Sequence, residues 1–332
     1  MPRAKAVVTL KTIAKLAGVT PSVVSTVLTG HRGSIRYSEE TAERVRAAAS
    51  KLHYRPDRMA QSLRAKEHQA IGLLTSSLFI LPHVFLHWLS LALGGRDRLL
   101  IIQTLPADDA LDACQMLQQR FVDAAICAEV PSKAVLRRAN EIGLPLLFVN
   151  ADPDITAPRL LFDEAGGMRL AVGHLHQRGY RNLVLCDDGG DGYWVAERRK
   201  GCRAAAQDLG LPPPRIIASP RTGHAADGAE ADRLVAACQP GCGLIIQDGG
   251  LAPFLLPRLA ARGLRIPEDV GVVTLGHAPA MDMTWTMAEV NTKDLAATAT
   301  DVLLTPGALD GVACRRAPYV LVPARSTDRP AG

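Results

Sequence analysis

Apolar residues recur at two different periods along this chain. In its first part, Leu10, Ile13, Ala14 and Ala17 fall at i, i+3, i+4 and i+7, the spacing of one helical face. Thr9 is placed to cap that helix. Gly18 offers a residue tolerant of positive φ where the chain turns through Gly18-Val19-Thr20. Thr20-Pro21 opens a second helix, because the hydroxyl accepts from a free N–H and proline suits the first helical position. Ser22 to Thr29 continue it with Val24, Val27 and Leu28 inward, and Gly30 ends it. A third helix starts after Ser38, with Glu39 and Glu40 in the first turn, where the helix dipole favours acids, and Ala42, Val45, Ala49 and Leu52 on one face. Two short helices joined by a tight turn predict a helix-turn-helix. The three helices together bury one small core and leave the second helix outward, shaped for the major groove.

The pattern then changes. Pro56 pushes Arg55 out of the helical region, and Asp57 can cap a helix running to Ala65. A helix that short is not stable alone in water, so the segment reads either as a conditional helix or as a disordered linker. From Ile71 onward, nearly all-apolar runs alternate with helical segments. The predicted strands are Ile71–Thr75, Leu99–Thr104, Asp123–Ala128, Pro145–Asn150, Asn182–Asp187, Arg215–Ser219, Gly243–Gln247 and Val270–Leu275. Predicted helices include Ala110–Gln119, Glu164–Arg178, Val195–Leu209, Ala229–Ala237 and Ala252–Arg262. This alternation predicts an α/β body with parallel sheets covered on both faces, and its length predicts two lobes. Ligands of such proteins sit at the carboxyl ends of the strands, in the cleft.

Composition narrows the class. With 48% hydrophobic and 21% charged residues, the chain is neither collagen-like, coiled-coil nor mainly disordered. No apolar run approaches the ~20 residues that span a bilayer. The basic N-terminus lacks a following apolar region, so no secretory signal is expected. Seven scattered cysteines (114, 127, 186, 202, 238, 242 and 314) suit reduced thiols and a cytoplasmic location. The charge is uneven. Residues 1–68 carry 13 Lys and Arg against 5 acids, a net +8, whereas the remainder is −3. A basic head on a slightly acidic body is the footprint of a nucleic-acid module; a solvated basic surface is the plain alternative.

The stretch Val8-Thr9-Leu10-Lys11-Thr12-Ile13-Ala14-Lys15-Leu16-Ala17-Gly18-Val19-Thr20 resembles the opening signature of the lactose-repressor (LacI/GalR-type) family of bacterial transcription regulators. Ser38-Glu39-Glu40-Thr41-Ala42-Glu43-Arg44-Val45 and Tyr54-Arg55-Pro56-Asp57 resemble its later landmarks at matching spacing. The resemblance implies a homodimeric repressor on a palindromic operator in double-stranded DNA. Residues 1–56 are then the helix-turn-helix head and residues 57–68 the hinge helix and linker. The DNA-binding set is Thr9, Thr20, Pro21, Ser22, Val23, Ser25, Thr26, Arg32, Arg36, Tyr54, Arg58 and Leu63. Pro21, Ser22 and Thr26 take the base-reading positions, and Leu63 takes that of a minor-groove wedge, an apolar side chain that bends the duplex by parting base steps. Thr26 departs from the arginine usual there; Thr can touch a base but cannot chelate guanine.

The body resembles the periplasmic-binding-protein-like effector domain of the same family. Phe162-Asp163-Glu164-Ala165-Gly166-Gly167, Arg262 to Val270 and Arg325-Ser326-Thr327 carry the likeness, and Arg198-Arg199-Lys200-Gly201 fits an Arg-x-x-Gly pattern whose Arg commonly binds the effector. The resemblance implies an effector and dimerisation domain over residues 69–332. Lobe one covers about 69–161 plus 292–322, and lobe two about 162–291 plus 323–332. The candidate effector residues are Ser76, Phe79, Asn150, Trp194, Arg198, Gln247, Asp248 and His277, with a sugar or sugar derivative as ligand. Gly276-His277-Ala278-Pro279 stands where most members carry two acids, and Gln247-Asp248 replaces an Asn-Asp pair. These departures leave open a pocket answering to a non-sugar metabolite or to none. Asp97-Arg98 and the Asp187-Asp188 pair are further cleft candidates.

Other chemistry finds little support. No Gly-x-Ser-x-Gly, His-Glu-x-x-His, catalytic-cysteine or nucleotide-phosphate loop occurs, so neither enzyme activity nor a cofactor is expected. His83 with His87, and Cys238 with Cys242, have helix-face metal spacing but no third ligand nearby in sequence. A solute-binding protein without DNA function is the remaining rival, and the basic head argues against it.

Overall fold

The computed structural model describes residues 8–29, 35–54, 68–75, 83–105, 114–119, 121–128, 132–151, 155–187, 189–190, 192–218, 227–247, 249, 252–276, 284–305, 307–311 and 314–328. The chain divides into two compact units, Met1–His68 and Gln69–Gly332.

The described residues of the first unit form α1 (Leu10–Ala17), α2 (Pro21–Thr29) and α3 (Glu39–Lys51). Thr9 and Thr12 form a capping box at the start of α1, each backbone N–H donating to the other's hydroxyl at 3.4 Å. Gly18 adopts φ 69° and ends the helix. Thr20 Oγ1 accepts from the Val23 N–H at 3.4 Å, and Ser38 Oγ from the Thr41 N–H at 3.2 Å. Ile13, Val24, Val27 and Val45 pack with the small alanines of α1 and α3 into a miniature core. Leu28 and Leu52, expected inside, are only partly buried at its edge.

The second unit runs β1 (Ala70–Thr75), α4 (His83–Gly94), β2 (Leu99–Thr104), α5 (Gln115–Gln119), β3 (Ala124–Ala128), α6 (Ser132–Ile142), β4 (Leu146–Val149) and β5 (Arg159–Phe162). It continues with α7 (Glu164–Gln177), β6 (Asn182–Asp187), α8 (Tyr193–Asp208), β7 (Arg215–Ala218), α9 (Asp227–Ala237), β8 (Cys242–Ile246), α10 (Ala252–Ala261) and β9 (Val270–Leu275). The last elements are β10 (Thr286–Val290), α11 (Thr292–Leu304), α12 (Ala308–Gly311), β11 (Arg315–Ala317) and β12 (Tyr319–Val322). Two six-stranded sheets result, in the orders β11-β5-β4-β3-β1-β2 and β12-β10-β9-β8-β6-β7. Among the described residues, only the β10–β12 pairing is antiparallel. Strands β1, β3, β4, β8 and β9 are buried at every position, which is why they read as unbroken apolar runs rather than alternations.

The chain passes between the sheets at Asp163, Asn291 and Pro318. Two of these residues are also helix caps: Asp163 Oδ1 accepts from the Gly166 N–H at 3.1 Å, and Asn291 Oδ1 from the Asp294 N–H at 3.2 Å. The last crossing corrects the expected lobe boundary. Tyr319–Val322 pairs with β10 in the second sheet, so the return lies at Pro318 rather than after residue 322. Strands β5, β10, β11 and β12 escaped the sequence reading: Arg159, Glu289 and Arg315-Arg316 interrupt the first three, and β12 is a four-residue run between Pro318 and Pro323. Helix α4 escaped because it is apolar on nearly every side.

Helices α7 and α8 approach each other closely at Gly201. A Cβ there would lie 2.7 Å from Ala165 Cα and 3.0 Å from its carbonyl oxygen. The far end of α7 is held by a buried hydroxyl chain. His174 Nε2 lies 2.7 Å from Thr327 Oγ1, which lies 2.6 Å from Thr286 Oγ1. Ser326 Oγ accepts from the Thr286 N–H at 2.7 Å and donates to the Val272 carbonyl at 2.6 Å. These bonds pin the terminal Arg325-Ser326-Thr327 turn to β9 and β10. Burial, and secondarily the Arg178 guanidinium, hold the His174 imidazole below its usual range.

Two expectations follow from this packing. Gly201→Ala should destabilise the body by about 1–3 kcal/mol, because backbone rather than a flexible side chain opposes the new methyl; thermal unfolding measures it. Because His174 titrates lower folded than unfolded, its contribution is complete above the unfolded value of about 6.5 and is lost as pH falls through the folded one. Unfolding free energy should therefore decline below about pH 6.5, and His174→Gln should flatten that decline in a denaturant series.

Candidate functional sites

The head presents α2 with its N-terminus outward. Thr9, Thr20, Pro21, Ser22 and Arg36 are exposed, and Val23, Ser25 and Tyr54 are half-buried. Helix α2 carries no charged side chain; the exposed bases flank it on α1 (Lys11, Lys15) and α3 (Arg44, Arg46, Lys51). Two of these are tied to acids of their own helix, Arg44 to Glu40 at 3.2 Å and Arg46 to Glu39 at 2.8 Å. Thr26 departs from its expected outward role. It is 8% exposed, and its hydroxyl donates to the Ser22 carbonyl at 2.9 Å, the back-bond available to a threonine within a helix. Arg32, Arg58 and Leu63, with the proposed hinge helix, lie outside the described residues.

In the body, the carboxyl ends of the strands converge with the crossings on one buried polar network. Glu164, the first residue of α7, is 2% exposed and receives Arg198 of α8 in a bidentate pair. Arg198 Nε donates to Oε2 at 2.7 Å and Nη2 to Oε1 at 3.2 Å. The same guanidinium donates through Nη1 to Gln247 Oε1 at 3.3 Å, beyond the end of β8, and through Nη2 to the Tyr319 hydroxyl at 3.3 Å. Tyr319 donates to Glu164 Oε2 at 2.8 Å, and Asn150, at the end of β4 in the first lobe, donates from Nδ2 to Oε1 at 3.1 Å. Asn150 holds φ 50°, and its Oδ1 accepts from the Phe162 N–H at 3.4 Å. The Trp194 ring lies over the guanidinium, with Arg198 Cζ 4.8 Å from its centroid.

The electrostatics follow from the geometry. Burial favours a neutral guanidine, but the Glu164 carboxylate and the Tyr319 hydroxyl outweigh it and raise Arg198 above its ordinary range. Burial, then the Glu164 charge, pushes the Tyr319 hydroxyl up as well, so it stays a donor. Glycines admit both partners: Gly201 lets α8 close onto α7, and a Cβ at Gly167 would lie 2.8 Å from the Tyr319 ring. The Glu-Ala-Gly-Gly and Arg-x-x-Gly motifs are thus two halves of one contact. On the rim, Arg316 of β11 donates to the Tyr193 hydroxyl of α8 at 3.0 Å, another bond between lobes.

Asn150, Trp194, Arg198 and Gln247 therefore come together, whereas Ser76, Phe79, Asp248 and His277 lie outside the described residues. Glu164 and Tyr319 were not among the expected site residues. A Glu at a helix start reads equally as a dipole partner, and Tyr319 sits on a strand too short to be seen. Asp187 is fully buried and paired with Arg199, whose Nε lies 2.5 Å from Oδ2. Asp97-Arg98 precedes β2 and lies at the opposite, amino end of the strands, with Arg98 3.8 Å from Asp123, so it takes no part in the cleft. Six cysteines are buried and Cys314 is exposed; burial pushes the Cys202 thiol up to about 12. Among the described residues, no helix is long and apolar enough to cross a membrane, and no group of three His, Cys, Asp or Glu residues could hold a metal ion.

Comparison with known proteins matches both units. Residues 9–57 fit the family described as bacterial regulatory proteins, lacI family, and residues 172–329 the periplasmic binding protein-like domain. The regulator PtxS of Pseudomonas aeruginosa is 26% identical over 81% of this chain and 79% of its own. The lactose operon repressor of Escherichia coli is 28% identical over 54% of this chain and 50% of its own. The chain thus spans between half and four fifths of the length of these curated relatives. A solved lac repressor dimer, bound to operator and an anti-inducer, superposes with a TM-score of 0.79 at 21% identity, covering 96% of this chain and 99% of that one. With a lacI-type helix-turn-helix joined to a two-lobed periplasmic-binding-protein-like body, the chain belongs to the lacI family of bacterial DNA-binding transcription regulators.

Proposed function

We propose that this regulator is a cytoplasmic repressor that grips a palindromic operator as a homodimer and responds to a small, sugar-like effector between its lobes. The observation that carries the reading is the Glu164–Arg198–Tyr319 network of the second lobe, which Asn150 reaches from the first lobe where strand ends and crossings meet. An effector there acts on bonds that hold the lobes together. By its different affinity for two lobe arrangements, it shifts the population of each. In this reading the arrangements differ in the spacing of two hinge helices, residues 57–68 of each copy, so operator affinity follows effector occupancy. The exposed N-terminus of α2 offers Pro21 and Ser22 to base edges, and Arg36 with the bases of α1 and α3 meets phosphates. Leu91 on α4 and Leu99 and Ile102 on the edge strand β2 are exposed apolar side chains of the first lobe, which this reading assigns to contact with the second copy.

Three outcomes are expected. Deleting residues 1–68 should abolish DNA binding in a mobility-shift assay while the remainder still melts cooperatively; an unfolded remainder would contradict the division of labour. Raising salt should weaken binding to any duplex steeply, but preference for a selected palindrome over random DNA should persist. Arg198→Ala should cost about 3–5 kcal/mol of body stability, because it strands the buried Glu164 carboxylate.

A further inference from the structure

Among the described residues, Arg198 and Arg199 near the carboxyl ends of the second sheet are already held by carboxylates of the chain. Arg199 is held by Asp187, and Arg198 by Glu164. The second case is the informative one. A guanidinium recognises an acid through two parallel N–H donors. Of its edges, Nε/Nη2 is filled by Glu164, and on the Nη1/Nη2 edge Nη1 donates to Gln247 and Nη2 to Tyr319. Glu164 is itself saturated: Oε1 accepts from Asn150 and Arg198, and Oε2 from Arg198 and Tyr319. An incoming carboxylate would therefore find no open two-donor edge and would meet a buried negative charge directly behind the arginine. A neutral polyhydroxyl compound meets no such charge repulsion, and a single hydrogen bond to the amide of Gln247, whose Oε1 accepts from Arg198, is enough to seat it.

We infer that Glu164 is the specificity-determining residue of the cleft, saturating Arg198 so that the site takes neutral polyhydroxyl effectors and rejects their carboxylate counterparts. This rests on the reading of the cleft as an effector site. The test uses the full chain and matched probes in calorimetry: hexoses, hexitols and disaccharides, each beside the corresponding aldonate or uronate, such as D-glucose with D-gluconate and D-galactose with D-galacturonate. Wild type should bind at least one neutral member no less than tenfold more tightly than its acid. Glu164→Gln should gain at least tenfold for the acid, since it frees the guanidinium charge. Glu164→Asp, which keeps the charge, should keep the neutral preference, and it carries the test together with wild type if Glu164→Gln fails to fold. Equal or tighter binding of the acid by wild type or Glu164→Asp, or an unchanged preference in folded Glu164→Gln, overturns the role of Glu164. Binding of no probe by any form overturns the effector reading itself.

Discussion

A buried ion pair is the constraint around which the body is arranged. Removing a carboxylate and a guanidinium from water is costly, and the cost is offset only when geometry is good and the remaining polar atoms are satisfied. Glu164 and Arg198 meet both conditions, and much of the local sequence can be read as meeting them. Gly201 brings the two helices together, Gly167 admits the Tyr319 ring, and Asn150 bends its backbone to φ 50° so that its amide reaches across from the first lobe. Because the pair sits where the chain passes between sheets, its integrity and the arrangement of the lobes are one question. That is what makes the location suitable for a switch.

The head solves a different problem with different means. Its core is too small to hold much apolar area, so caps and a turn glycine carry a large share of its definition. Helix α2 stays uncharged while bases stand on the flanking helices, and the proposed reading gives grip to those charges and discrimination to the neutral side chains. With Thr26 turned inward, Pro21 and Ser22 are left exposed at the start of α2, where the proposed reading sets them against base edges.

The sequence made the architecture largely legible because its signals are local. Capping threonines, Gly18 and the 3.6-residue period define the head, and unbroken apolar runs define the central strands. Four strands were not legible: charges interrupt β5, β10 and β11, prolines bound β12, and β11 and β12 take their places by pairing with distant strands. The site was legible in half. Arg198, Asn150, Gln247 and Trp194 could be placed from strand ends and a motif, but Glu164, the partner of Arg198 and Asn150, could not, because a carboxylate at a helix start has a sufficient local explanation. What distinguishes it is contact with a residue 34 positions away, information that no local period contains.

The central claim is that Glu164 and Arg198 act as one buried unit at the crossing between the lobes. A double-mutant cycle with Glu164→Gln and Arg198→Met, read as unfolding free energy of the full chain, tests it most directly. The account predicts a coupling of about 2–3 kcal/mol, with the double variant markedly more stable than the sum of the single losses implies. Losses that add to within about 0.5 kcal/mol would contradict it.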